Sequence, residues 1–114
     1  MLAKKYRLTS RTDFVKVQEK GTTFQSNSFG IAILARGDAN PSRFAVIIST
    51  KVAKDAVDRN TVRRHITETV RLLTNYIKDG QDVVFLAKPN IIRIPADSLV
   101  REVRSAVAGS GLLK

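Results

Sequence analysis

The 114-residue chain has no cysteine, a single histidine, and half as many acidic residues as basic ones, 10 against 20. Without cysteine there is no disulfide scaffold, no thiolate metal site and no thiol nucleophile, and nothing in the chain requires an oxidising compartment. The lone His65 cannot supply a pair of imidazoles for acid–base work, and with no cysteine beside it cannot complete the common transition-metal sites. Its expected place is a helix surface or a phosphate contact. Long apolar runs are missing too: the longest, such as residues 44–48 and 83–87, hold five residues, against the roughly 20 of a membrane-spanning helix. Lys4, Lys5 and Arg7 are not followed by the apolar stretch and small-residue cleavage site of an export signal. These absences predict a cytoplasmic protein that does not enter a membrane.

What is present is positive charge. The formal net charge is +10 at pH 7, which in so small a chain makes a polyanion the default partner. The length suits one domain, 1–114, with residues 1–5 and 109–114 expected to fray. Ser10 and Asp13 have capping-box spacing, and Phe14, Val17 and Gln18 continue a short amphipathic helix to Gly21. A short strand is expected near 22–24. Residues 27–36 and 43–50 are rich in β-branched and aromatic side chains and flank a loop with Asn40 and Pro41, the pattern of an antiparallel hairpin. From 58 to 77, Val62, Ile66, Val70, Leu73 and Ile77 recur at helical spacing. Residues 82–88 read as a buried strand. After Pro95 the stripe Leu99, Val103 and Val107 marks a last helix stopped by Gly109. The order α, two or three β, α, β, α predicts an α+β fold in which helices pack on a sheet.

Opposite the apolar stripe of the long helix stand Arg59, Arg63, Thr67 and Arg71, four apart, with Asn60 and Arg64 in the adjacent row. Lys51 and Lys54 precede the helix and extend its positive surface. Arginine suits phosphate because its planar fork donates two parallel hydrogen bonds. The competing reading is a solvated, salt-bridged face in which Asp55 and Asp58 favour the helix start and Glu68 pairs with Arg64. With one acid among four helix arginines, most of this charge lacks a local partner, and RNA or DNA is the first choice.

The stretch 51–71, which follows Ser49-Thr50 and contains Arg59-Asn60 and then Arg63-Arg64, closely resembles the signature of the bacterial ribonuclease P protein subunit. The resemblance runs from residue 4 to about 107. Arg7-Leu8, Asp13-Phe14, Val17 and Lys20-Gly21 are similar to the family's amino-terminal helix, Phe29 to its strand aromatic, and Ala87-Lys88-Pro89 to the turn after its last strand. It implies an α-β-β-β-α-β-α sandwich with a mixed sheet and a left-handed βαβ crossover, where the ordinary prior is right-handed. It also implies a function: with a large catalytic RNA, the subunit assists hydrolysis of the bond that frees the mature 5′ end of transfer RNA. Carried over, Lys51, Lys54, Arg59, Asn60, Arg63, Arg64 and Arg71 would contact the catalytic RNA. Phe14, Val17 and Phe29 would line a cleft for the single-stranded 5′ leader of precursor tRNA, with Arg7, Arg11, Lys16 and Lys20 at its rim. Mg²⁺ would be held mainly by RNA, and the chain would carry neither a catalytic residue nor a metal ligand. The family's further arginine and two of its aromatics are replaced here by Thr67, Gln18 and Ala32. The rival reading is a ribosomal or ribosome-assembly RNA-binding protein. A DNA-binding helix is a weaker third, because the basic helix also carries a core stripe in an α/β-alternating chain.

Overall fold

Val83, Val84 and Phe85 put apolar side chains on both faces of one strand, which is stable only where both faces are covered. The computed structural model describes residues 2–114; Met1, at the head of the tail expected to fray, lies outside the described residues. Its elements are α1 (Arg11–Lys20), β1 (Thr22–Gln25), β2 (Phe29–Ala35), β3 (Arg43–Ile47), α2 (Ala56–Leu73), β4 (Gln81–Ala87) and α3 (Ala96–Gly109). The four strands form one mixed sheet in the order β1-β2-β4-β3. β4 is an inner strand, antiparallel to β2 with Phe29 opposite Ala87, and parallel to β3 with Arg43 opposite Asp82. The hairpin expected between 27–36 and 43–50 is therefore absent: β4 lies between those strands, and the hairpin is β1–β2, with Thr22 opposite Ile33. A parallel β3–β4 pair needs a long crossover, and α2 supplies it.

The sheet separates two cores. On one face Phe29, Ile31, Phe44, Val83 and Phe85 meet the stripes of α2 (Val62, Ile66, Val70) and α3 (Leu99, Val103, Val107). On the other, Ala32 and Val84 meet Leu8 and Val17 beneath α1, with Phe14, Ala45, Ile47 and Leu86 only half-buried around them. Ser10 caps α1 by accepting from the Asp13 N–H at 3.5 Å. Gly21 ends it where a Cβ would stand 2.4 Å from the Val17 carbonyl oxygen and 2.8 Å from that of Ile33, so the end of α1 lies hard against β2. Asp55 caps α2, its Oδ1 accepting from the Val57 N–H at 2.9 Å.

Two expectations about ends are corrected. α2 stops at Leu73, not Ile77: a 3₁₀ turn over Thr74–Tyr76 intervenes, and Ile77 is buried by pairing with Leu113. Residues 109–114 do not fray, because Leu112 is 2% exposed in the main core and the Lys78 N–H donates to its carbonyl at 2.8 Å. At the other end Leu2 is buried, and residues 4–6 form a 3₁₀ turn.

Two polar clamps join distant segments. Asp82 accepts from Arg36 at 2.5 Å and from Arg43 at 2.8 and 2.9 Å, and Arg43 reaches on to Asp13 of α1 at 3.2 Å. Glu102 of α3 accepts from the hydroxyls of Ser26 (2.6 Å) and Ser28 (2.7 Å) and from the Ser28 N–H (2.8 Å). Lys88 closes the same cluster by donating to the Ser26 carbonyl.

Burial alone would raise the Glu102 carboxyl, but these three hydrogen bonds and the Lys88 charge outweigh it and hold the group below its ordinary value of 4.5. A lowered folded pKa contributes stability above the unfolded pKa that is lost as pH falls through the folded one. Glu102→Gln should therefore cost about 2 kcal/mol at pH 7. The gap from the unchanged protein should begin to narrow as pH falls below the ordinary carboxyl value of 4.5 and close only below the lowered folded pKa; denaturant unfolding over a series from pH 7 downward measures both.

Candidate nucleic-acid interface

Burial of Val62, Ile66 and Val70 sets the rotation of α2, so the arginine row must face outward. Lys51, Lys54, Asn60, Arg64 and Arg71 are exposed, and Arg59 and Arg63 are half-buried. Glu68 pairs with Arg71, whose Nε donates at 2.9 Å, and not with Arg64 as the salt-bridged reading expected. Among the described residues the ion pairs are those of Arg36, Arg43, Arg71 and Arg101, so Lys51, Lys54, Arg63 and Arg64 reach no carboxylate. Arg63 donates to Asn60 Oδ1 at 3.1 Å, which holds the two side chains together on one face. Arg59 turns back along the helix and donates to the carbonyls of Ala53 and Lys54, both at 2.8 Å. The Thr67 hydroxyl donates to the Arg64 carbonyl, so it serves its own helix rather than replacing a guanidinium.

The expected aromatic wall is different. Strand alternation puts Phe29 on the face under α2 and α3, where it is 0% exposed and tilted against Phe85 with ring centroids 5.6 Å apart. It cannot face α1, so the assignment of Phe29 to the cleft is overturned. Val17, 1% exposed, is core beneath α1 and not a surface a ligand could touch. Ala32 is equally covered, and Gln18 is exposed, so neither adds a stacking face. Only Phe14 of the three expected contacts remains available, half-buried at the side of α1.

Phe14 borders a groove of about 660 Å³. α1 lies chiefly over β2 and β4, and the groove runs round the edge strand β3, with Leu8 and Ala45 lining it on the α1 face of the sheet and Phe44 and Val46 on the α2 face. The amino-terminal segment walls one side: Arg7 bridges to Phe44, and the Leu8 N–H donates to the Phe44 carbonyl at 2.9 Å. On the other side stand Asn60, Arg63, Arg64 and Thr67. The basic helix and the α1 cleft, expected as separate surfaces, thus share one groove. Arg11 stands on the Phe14 flank of α1. Lys16 and Lys20 do not: at about 100° per residue they fall on the opposite flank, away from the groove. Leu8 enters the sequence reading only as part of the Arg7-Leu8 resemblance, with no place at a site, and Ala45 not at all; the alternation through 43–47 is the signal that turns Ala45 away from Phe44.

His65 is half-buried and lines a smaller depression of about 320 Å³ with Ile91, Ile92 and Leu99, between α2 and the segment leading into α3. Among the described residues no cluster of three or more His, Cys, Asp or Glu could hold a metal ion, and no helix is long and apolar enough to cross a membrane.

Residues 2–109 match the family described as Ribonuclease P. The chain is 35% identical over 107 residues to the ribonuclease P protein component of Clavibacter michiganensis, covering 94% of each chain. It is 30% identical over 112 residues to that of Synechocystis, covering 98% of this chain and 90% of the relative. Its fold is similar to that of the RNase P protein of Staphylococcus aureus, with TM-score 0.90 and 19% identity over 97% of this chain and all of that one. It is also similar to that of Thermotoga maritima, with TM-score 0.77 and 22% identity over 87% and 92%. Sequence matches that span nearly the whole of chains of almost equal length leave one assignment: this chain belongs to the ribonuclease P protein family, the protein component of an endoribonuclease whose catalytic centre lies in RNA.

Proposed function

We propose that the chain binds the catalytic RNA of ribonuclease P through the outer face of α2 and its lead-in lysines, and holds the 5′ leader of precursor tRNA in the groove between α2, β3 and Phe14. The observation that carries this reading is the groove itself: guanidiniums without carboxylate partners, Arg63 and Arg64, line one wall above an apolar floor. A single strand needs such a combination, charge along its backbone and a nonpolar surface for its bases. A duplex-reading helix would need the basic face free of walls.

The chain's contribution is positional and electrostatic. In this reading Mg²⁺ would be held mainly by RNA phosphates and would supply charge stabilisation there, while the residues of this chain bind and position the RNA. Lys51, Lys54, Arg63 and Arg64 would neutralise phosphates nearby, which lets RNA strands approach at lower Mg²⁺. Retention of the leader would favour precursor over product, since the mature tRNA lacks the strand that occupies the groove.

Cleavage of a 5′-extended tRNA precursor by the organism's own ribonuclease P RNA should, at low Mg²⁺, depend on added protein; a folded preparation that gives no stimulation would overturn the reading. Arg63→Ala should weaken assembly with that RNA and reduce the slope of log affinity against log salt by about one. Unchanged binding would remove α2 from the interface. Phe14→Ala should weaken precursor binding by about fivefold or more, as for loss of one stacked base, and leave mature tRNA binding unchanged. An equal loss for both ligands would make Phe14 a core residue alone.

A further inference from the structure

Arg59 differs from its neighbours on the basic helix in one respect: its guanidinium does not point away from the protein. Both bonds from its NH1 nitrogen go to main-chain carbonyls, Ala53 and Lys54, at 2.8 Å each. That nitrogen has two hydrogens, and both are used. The carbonyls belong to the loop between β3 and α2, the segment that carries Lys51 and Lys54. The rest of the loop is tied by short-range bonds. The Ser49 carbonyl accepts from the N–H groups of Val52 (3.0 Å) and Ala53 (3.3 Å), the Ala53 side chain is buried, and Asp55 caps the helix. Between these ties the Ala53 and Lys54 carbonyls have the Arg59 side chain as their anchor, while the Lys51 and Lys54 side chains remain exposed.

We infer that Arg59 is a positioning residue: it acts on RNA through the 51–54 loop, holding Lys51 and Lys54 where they meet phosphates, rather than as one more phosphate contact. Two lysines on a loose loop lose backbone and side-chain freedom on binding, whereas a loop already held by the folded protein loses less. Arginine suits the task because its side chain is long enough to run back along the helix toward the N-terminal turn and its fork places two hydrogens of one nitrogen on adjacent carbonyls. The inference rests on the reading of α2 as an RNA-binding face.

The test is a double-mutant cycle on the full chain, with ribonuclease P RNA binding measured across a salt series. Arg59→Ala alone should weaken binding by about tenfold and lower the salt slope by more than the single unit of one lost contact. In a Lys51→Ala/Lys54→Ala background, the same change should alter affinity less than about twofold, because the groups it positions are gone. Equal losses in both backgrounds would make Arg59 a direct contact and overturn the inference. Full-strength binding by Lys51→Ala/Lys54→Ala would overturn it as well. The underlying reading is judged separately by Arg63→Ala, since loss there with no coupling at Arg59 sinks only the inference. Should Arg59→Ala fail to fold, side-chain NMR of the unchanged protein decides: a guanidinium bound to the loop is ordered before RNA is added and shifts little afterwards. One that becomes ordered only with RNA would refute the assignment.

Discussion

The rest of the architecture follows from the need of β4 to be covered on both faces and paired on both edges. Val83, Val84 and Phe85 have no exposed surface, which demands strands on either side and helices above and below. With β2 on one edge, β3 takes the other, and because β3 runs parallel to β4 the chain must cross a face of the sheet between them. α2 is that crossing. Its apolar stripe is consumed by the core beneath, so the arginines on its far side have no choice of direction. The placement of the basic face is thus a consequence of strand chemistry more than 10 residues further along the chain.

Features with local causes are legible in the sequence. Ser10 and Gly21 bound α1 because cap chemistry acts within a turn, and the spacing of Val62, Ile66 and Val70 defines α2 because helix periodicity is local as well. Strand neighbours were not legible, since alternation tells which face a residue occupies and not which strand lies beside it; hence the hairpin expected between β2 and β3. Ile77 continued the helical spacing, yet its burial comes from Leu113, 36 residues away. The clamps were invisible for the same reason: Glu102 meets Ser28 across 74 residues and Asp82 meets Arg36 across 46.

The candidate site divides along the same line. The Arg-Asn row of α2 lies where its spacing put it, because one helix carries all of it. Phe29 does not, because the face an aromatic presents is decided by the register of the whole sheet, and here that register matches it with Ala87 over the α2–α3 core. Lys16 and Lys20 are displaced by the rotation of α1, which the burial of Val17 determines. The groove is assembled from the amino-terminal segment, α1, β3 and α2, and no stretch of sequence contains it.

α1 is pinned at both ends. Near its start Asp13 is held by Arg43, itself gripped by Asp82, and at its close Gly21 allows the helix to touch β2. A helix fastened in this way behaves less like a lid than like the fixed jaw of a gauge. The opening beside it takes its width from the scaffold, so a change at Asp13, Arg43 or Gly21 would recalibrate that width without altering a residue that lines it.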